Sequence, residues 1–146
     1  MGLLSLFRKK TAPYANTPYQ KLGGDEAVRQ LANQFYDIMS TDPAVADLYA
    51  MHPKPLDSIR HTFYLYLSMW LGGPKTYVEQ RGHPRLRARH LSFTVTPALK
   101  EQWMYCMRKA MFASVSDLAL AHALLADLDA LATHMINSEN NEDAPG

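Results

Sequence analysis

The feature that most constrains the fold of this 146-residue chain is the spacing of its apolar residues, which recur every three or four positions in four long stretches. Such spacing places the apolar side chains on one face of an α-helix, because an α-helix has 3.6 residues per turn. No stretch of any length alternates apolar and polar residues in the way that a half-buried strand requires. The sequence therefore predicts an all-α domain.

Local signals indicate where the four long helices begin and end. The first is predicted from about Asp25 to Ser40, and the glycine pair at positions 72–73 stops the second. Thr96 followed by proline opens the third, and Ser116 caps the fourth. The predicted apolar stripes are, in order, Val28, Leu31, Ala32, Phe35, Ile38 and Met39; Leu56, Ile59, Phe63, Leu67 and Trp70; Leu99, Trp103, Cys106, Met107, Ala110 and Met111; and Leu118, Ala121, Leu125, Leu128, Ala132 and Met135.

Shorter elements connect these helices. Asp42 followed by Pro43 is a cap with proline at the first helical position, and it opens a short helix that ends near Ala50. The four long helices can form two antiparallel pairs. The segment 72–92, rich in Gly, Pro and Arg, lies between the pairs and is expected to contain at most a short helix.

Size and composition fit one globular domain, since 47% of the residues are hydrophobic. A net charge of +1 gives no support for a nucleic-acid partner. The lone cysteine, Cys106, cannot form an internal disulfide, which favours a reducing cytoplasmic location. No run of about 18 apolar residues is present, so the sequence predicts no transmembrane helix.

The two ends of the chain differ from its middle. We expect residues 1–16 to form an N-terminal extension, residues 17–137 the domain, and the polar residues 138–146 a disordered tail. Residues 1–10 are an apolar patch followed by three cations, a pattern that can touch a membrane surface. A flexible extension or a short extra helix is the simpler interpretation.

The segment that begins at Gly82 carries most of the chemical information. It reads Gly-His-Pro-Arg-Leu-Arg-Ala-Arg-His-Leu-Ser-Phe, so three arginines precede His90, and apolar Leu91 and Phe93 follow it. This arrangement suits an imidazole that faces an apolar cofactor while cations face the acidic edge of that cofactor. Haem is such a cofactor, with an apolar macrocycle, two carboxylates and an iron that accepts a histidine nitrogen. A core or surface histidine that binds nothing is equally consistent with the pattern.

Two further side chains are candidates for contact with a ligand. Tyr36 lies among the apolar residues of the first long helix, and a buried hydroxyl needs a hydrogen-bond partner. The indole nitrogen of Trp103 can only donate. A tyrosine bonded to the backbone and a tryptophan in the core are the simpler interpretations. The six histidines include no i,i+4 pair and no His/Cys cluster, which argues against a zinc site.

With these residues in place, the chain resembles a group II truncated haemoglobin, the short two-over-two helical globin of bacteria and plants. The resemblance covers about residues 19 to 136 and is most specific in the string Gly-His-Pro-x-Leu-Arg-x-Arg-His that ends at His90. It implies a truncated globin fold, a two-over-two helical sandwich that encloses haem b. The other matching motifs are Leu22-Gly-Gly24, Phe35-Tyr36, Met51-His-Pro53, Trp70-Leu-Gly-Gly-Pro74, Tyr77, Phe93 and Trp103 with Cys106-Met107.

The resemblance implies a role for each matching residue on the proximal side of the haem. His90 would bind the iron through one ring nitrogen, and its other ring N–H would donate to a carbonyl group. Arg89 and Tyr77 would lie at the haem propionates. The remaining cofactor contacts that the resemblance implies are Phe63, Leu67, Phe93 and Met107.

On the distal side the resemblance implies that Tyr36 and Trp103 donate hydrogen bonds to the bound ligand. His52 falls at a position where relatives carry Tyr, Phe or His, so it would hydrogen-bond the ligand or Tyr36. Ile59 and Phe63 occupy the helix where many globins place a polar contact, and both are apolar. Donors on the ligand oppose its loss, each by roughly 1–1.5 kcal/mol.

Three functional hypotheses remain open from the sequence. The first is enzyme-like chemistry on NO, peroxide or reactive nitrogen, which needs an external reductase because the chain has no flavin or nicotinamide motif. The second is a module for O2 storage, scavenging or sensing that also binds CO and NO. The third is a helical interaction protein without a cofactor. Both a monomer and a homodimer are compatible with the sequence.

Overall fold

The computed structural model of this chain describes residues 13–90 and 93–139. Within those ranges every regular element is a helix, which confirms the predicted all-α class. The helices are α1 (Pro18–Leu22), α2 (Asp25–Thr41), α3 (Ala46–Ala50), α4 (Asp57–Trp70), α5 (Thr76–Arg81), α6 (Leu86–His90), α7 (Pro97–Ser114) and α8 (Leu118–His134), with a 3-10 turn at Pro43–Val45 between α2 and α3.

Several sequence predictions fall outside these ranges. The extension up to residue 12, its proposed membrane contact, the tail from residue 140 and Leu91 lie outside the described residues. In the described part of the chain, no helix is long and apolar enough to cross a membrane.

The long helices pack as two pairs. Helix α2 packs against α4, α7 packs against α8, and the pairs meet where α2 lies on α7. The predicted stripe of α2 is buried apart from half-buried Ile38, and Tyr36 joins the buried set. Burial of such stripes supplies most of the stability of a helical domain, because helices this short are marginal in isolation.

Three local predictions are wrong. The segment 72–92 contains two short helices, α5 and α6, where at most one was expected. Asp117 caps α8 in place of Ser116, because its side chain accepts the N–H of Leu120 at 3.1 Å. Leu118 is 60% exposed, since it is the first residue of α8 and lies before the buried stripe begins at Ala121.

The end of α4 shows why a glycine pair follows it. The N–H of Gly73 bonds to the carbonyl of Ser68 at 2.8 Å and that of Gly72 to Met69 at 3.0 Å, which is a Schellman motif. Gly72 adopts a φ of +93°, which favours glycine. A Cβ on Gly73 would overlap the ring of Tyr19, so this glycine lets α1 lie against the end of α4.

We expect Gly73→Ala to destabilise the fold by roughly 1–3 kcal/mol, towards the upper end, because the new methyl group overlaps a buried ring. Denaturant unfolding of the variant measures this cost. In a Tyr19→Leu background the ring is gone, so the same substitution is expected to cost clearly less. An equal cost in both backgrounds would contradict the assigned contact.

Candidate functional site

A cluster of aromatic rings lies where α2, α4 and α7 meet. Phe35 is fully buried, and its ring centroid is 4.9 Å from that of Tyr36, 5.1 Å from Phe63 and 5.2 Å from Trp103. The ring of His52 joins the edge of this cluster, with its centroid 6.0 Å from Tyr36. The structure therefore brings together three predicted distal residues that are 16 and 51 positions apart in the sequence.

Tyr36 presents a hydroxyl group with no internal partner. The side chain is 4% exposed, and its hydroxyl makes no hydrogen bond to another described residue. Burial raises the pKa of Tyr36 well above its ordinary value of 10.0, and the nearby Arg60 lowers the pKa only in part. The hydroxyl is therefore protonated at neutral pH and is available as a donor.

Trp103 supplies a second donor to this region from α7. Its ring lies 6.2 Å from that of Phe63 and packs against the core on one side, while part of the side chain is exposed. The indole N–H makes no hydrogen bond to another described residue. Two helices that pack on each other thus carry two buried or half-buried donors into one cluster, and both donors lack partners within the described chain.

His52 is oriented by a chain of hydrogen bonds that begins on α7. The side-chain oxygen of Gln102 accepts the N–H of Leu48 at 3.0 Å, and the carbonyl of Leu48 is 2.8 Å from Nδ1 of His52. Because a carbonyl only accepts, Nδ1 carries the proton. Burial lowers the pKa of His52, as do the charges of Lys54 and His90, and the bond to Leu48 raises it in part.

The neutral imidazole that results has a bare Nε2 atom. Such a nitrogen accepts hydrogen bonds and cannot donate them. Of the two partners that the sequence suggested for His52, the hydroxyl of Tyr36 fits this tautomer, and a ligand that needs a donor does not.

His90 is the last residue of α6. Its Nδ1 atom lies 2.7 Å from the carbonyl of Leu86, one turn earlier in the same helix. Nδ1 therefore carries the proton, and Nε2 is left with a free lone pair. This is the carbonyl contact that the sequence comparison with haem-binding globins implied, and it is the orientation that a metal-binding imidazole requires.

The residues predicted near the carboxylate edge of the cofactor lie on α5 and α6. Arg89 is exposed, and its Nε atom donates to the carbonyl of Pro84 at 2.6 Å. Tyr77 is 3% exposed, and its ring packs edge-on against Tyr66 with centroids 5.8 Å apart. Burial raises the pKa of Tyr66 to about 12, so this hydroxyl also keeps its proton.

The remaining predicted contacts divide into two groups. Leu67 and Met107 lie one turn beyond Phe63 and Trp103 on the same helices, and both are buried in the core, at 1% and 0% exposure. Phe93 is 49% exposed, three positions after His90. An exposed aromatic ring is a surface that a flat apolar partner can cover.

Sequence reasoning missed two residues of this region. Phe35 was assigned to a helix stripe and to a family motif, but it is the centre of the aromatic cluster. Tyr66 was not singled out, although it lies beside Tyr77. The i,i+3 relation of Tyr66 to Phe63 on one helix face was the available signal.

The chain is similar to known proteins along most of its length. Residues 17–137 match the family described as bacterial-like globin. A cold-adapted truncated haemoglobin from the Antarctic bacterium Pseudoalteromonas haloplanktis is 48% identical, with a TM-score of 0.84 over 85% of this chain and all of that one. A group II two-on-two haemoglobin from Agrobacterium tumefaciens is 41% identical, with a TM-score of 0.82 over 84% and 95% of the two chains.

A truncated haemoglobin described as oxygen-avid, from Bacillus subtilis, is 34% identical to this chain. Its TM-score is 0.76, over 84% of this chain and 100% of the other. The family match, over residues 17–137, includes the helices that carry the aromatic cluster and His90.

Proposed function

Because this chain belongs to the bacterial-like globins, as a group II truncated haemoglobin with the two-over-two fold, we propose that it holds its haem through His90 and keeps O2 beside Tyr36 and Trp103. Membership of the family makes it a haem protein that binds small gaseous ligands such as O2. The residue assignments, the identity of the haem as haem b, and the binding of CO and NO belong to the proposal.

The residues present fit a haem. The observation that carries the proposal is the pair of orphaned donors, because the Tyr36 hydroxyl and the Trp103 N–H lack partners in the described chain. Neither of these two atoms is among the fully buried, unpaired polar atoms of the described residues, so each keeps accessible surface that a small polar ligand can reach. The bare Nε2 of His90 is the matching lone pair for a metal on the proximal side.

The haem, when bound, supplies an iron at which a diatomic ligand coordinates and which can exchange electrons. The chain itself supplies the surroundings. His90 holds the cofactor through Nε2, half-buried Phe63 and exposed Phe93 offer apolar surface to it, and Leu67 and Met107 pack in the core behind them. Non-covalent contacts of this kind suit haem b.

Arg89 and Tyr77 are assigned to the propionate edge. A guanidinium group pairs well with a carboxylate, and because Arg89 is exposed, its contribution is to position the haem more than to add affinity. Tyr77 is buried beside Tyr66, so its hydroxyl is held by packing near the same edge.

On the distal side the donors set how long a ligand stays. Each hydrogen bond from Tyr36 or Trp103 to the ligand is worth roughly 1–1.5 kcal/mol, which is about tenfold in the dissociation rate. The ring of His52 packs against that of Tyr36, with the two centroids 6.0 Å apart, and limits the orientations of the Tyr36 side chain. The oxygen-avid relative from Bacillus subtilis supports slow O2 release here.

A long-held O2 favours chemistry on a second reactant over delivery. We favour oxidation of NO by O2 to nitrate, or turnover of peroxide and reactive nitrogen, with the electron for each further cycle supplied by an external reductase. The alternative is storage, scavenging or sensing of O2 without turnover, in a monomer or homodimer.

Nitrate formation separates these two functions. The reduced, O2-loaded protein is mixed with NO, and nitrate is quantified with and without a flavin reductase and NADPH. The enzymatic function predicts about one nitrate per haem without the reductase and many with it, because the reductase returns the protein to its reduced form. A yield that stays at one per haem when the reductase demonstrably reduces the protein would assign the binding function instead.

A further inference from the structure

Helix α6, which carries His90, has little packing of its own. It spans only five residues, Leu86–His90, and none of its residues is buried. A single helical turn is unstable in isolation, because nucleation costs more than one or two hydrogen bonds return. Something outside α6 must therefore hold the imidazole in a fixed position.

The first hydrogen bonds that hold α6 join it to the end of α8. Nη1 of Arg87 donates to the carbonyl of His134 at 2.7 Å and to that of Ile136 at 3.2 Å. Carbonyls at the end of a helix carry partial negative charge and lack partners within the helix, so a guanidinium group is a suitable partner for them.

Asn137 makes the second set of hydrogen bonds to this region, through both the nitrogen and the oxygen of its side-chain amide. Nδ2 donates to the carbonyl of His90 at 3.2 Å and to that of Phe93 at 2.8 Å, while Oδ1 accepts the N–H of Val95 at 2.8 Å. Two carbonyls on one side and an N–H on the other permit only one orientation of the amide group. The backbone N–H of Asn137 also donates to the carbonyl of Val95 at 3.0 Å.

We propose that Asn137 is a positioning residue for His90, and that it sets the direction of the imidazole by fixing the carbonyl of His90 and the backbone of Phe93 and Val95 that follows it. The inference rests on the proposed role of His90 as the haem ligand. It adds a residue from the far end of the chain that acts through the carbonyl of His90 and through the backbone of Phe93 and Val95.

The physical reason is preorganisation. A metal-binding residue whose backbone is already fixed loses less conformational entropy on binding the metal than a residue on a loose segment does. Loss of two hydrogen bonds that hold this backbone is expected to accelerate haem loss about tenfold. A shift or broadening of the iron–histidine stretching band should accompany the faster loss, because the imidazole samples more orientations.

The test compares two nearly isosteric exchanges on the same part of the chain. Asn137→Asp keeps the acceptor for Val95 but replaces the donor to His90 with an oxygen that faces two carbonyls. Asp129→Asn is the control, since it weakens the pair between α8 and Lys100, at 3.0 Å, away from α6. Haem transfer to an acceptor globin, resonance Raman of the reduced protein, and amide exchange of residues 86–90 and 93–95 in the apoprotein are measured in both.

We expect about tenfold faster haem loss, an altered iron–histidine band and faster amide exchange in Asn137→Asp, with all three unchanged in Asp129→Asn. Wild-type behaviour in all three for Asn137→Asp would overturn the proposal. If the wild-type protein binds no haem, the proposed function fails, yet unchanged amide exchange in the apoprotein still rejects the positioning role. If Asn137→Asp does not fold, exposed Arg87→Gln is tested the same way, with a smaller effect of about threefold expected.

Discussion

Replacing His90 with alanine is expected to abolish stable haem binding while leaving the helical fold intact. The carbonyl of Leu86 holds Nδ1 of His90 and leaves the lone pair of Nε2 free to bind a metal. Loss of even an outer partner of a metal-bound histidine costs roughly 10–100-fold in affinity, so loss of the ligand itself should cost about hundredfold or more. Haem titration of the apoprotein, followed by absorption, measures the loss.

Added imidazole should partly restore the spectrum of the His90→Ala variant, because free imidazole can occupy the vacated position. His61→Ala is the matched control, since His61 is exposed on α4 and lies outside the site. A His90→Ala protein that keeps a full five-coordinate spectrum after reduction, without imidazole, would remove His90 from the site.

We also expect a large effect on the rate of O2 release when the two distal hydrogen-bond donors are removed. Tyr36→Phe deletes only the hydroxyl, and Trp103→Phe deletes the indole N–H while keeping an aromatic ring in the cluster. Each should speed O2 release about tenfold, and the double variant by up to about a hundredfold if the two bonds act independently. Stopped-flow displacement of O2 by CO measures the rates.

Tyr49→Phe and Trp70→Phe are the controls for these substitutions, since neither ring belongs to the cluster around Phe35. Their O2 release rates should stay within about twofold of the wild-type rate. If Tyr36→Phe and Trp103→Phe also release O2 at the wild-type rate, the two orphaned donors do not face the ligand, and the distal assignment is wrong.

The helices could be predicted because their signals are local. The stripe of α2 contains its own period, and the cap at Thr96 needs only the N–H of Leu99, three residues later. The predicted start of α8 is wrong because the local signal is ambiguous. Ser116 and Asp117 are both good caps, and only the folded structure selects Asp117. The two short helices α5 and α6 carry too few apolar residues to show a period.

The site could be predicted only in part, because it depends on contacts between distant segments. Tyr36 and Trp103 were singled out by residue type and family motif, but their meeting around Phe35 requires α2 to pack on α7. Asn137 lies 47 positions after His90, in a polar stretch beside the predicted tail, and nothing in its neighbourhood signals a partner. Its role is visible only through the carbonyls that it binds.

We infer that this chain presents His90 on one side of a haem and a polar, ligand-holding cluster on the other. The most direct test is the absorption spectrum of the haem-loaded protein, oxidised, then reduced, then exposed to CO. We expect a five-coordinate reduced spectrum whose Soret band shifts on addition of CO. Absence of a Soret band even after hemin is added, or a reduced spectrum that CO leaves unchanged, would contradict it.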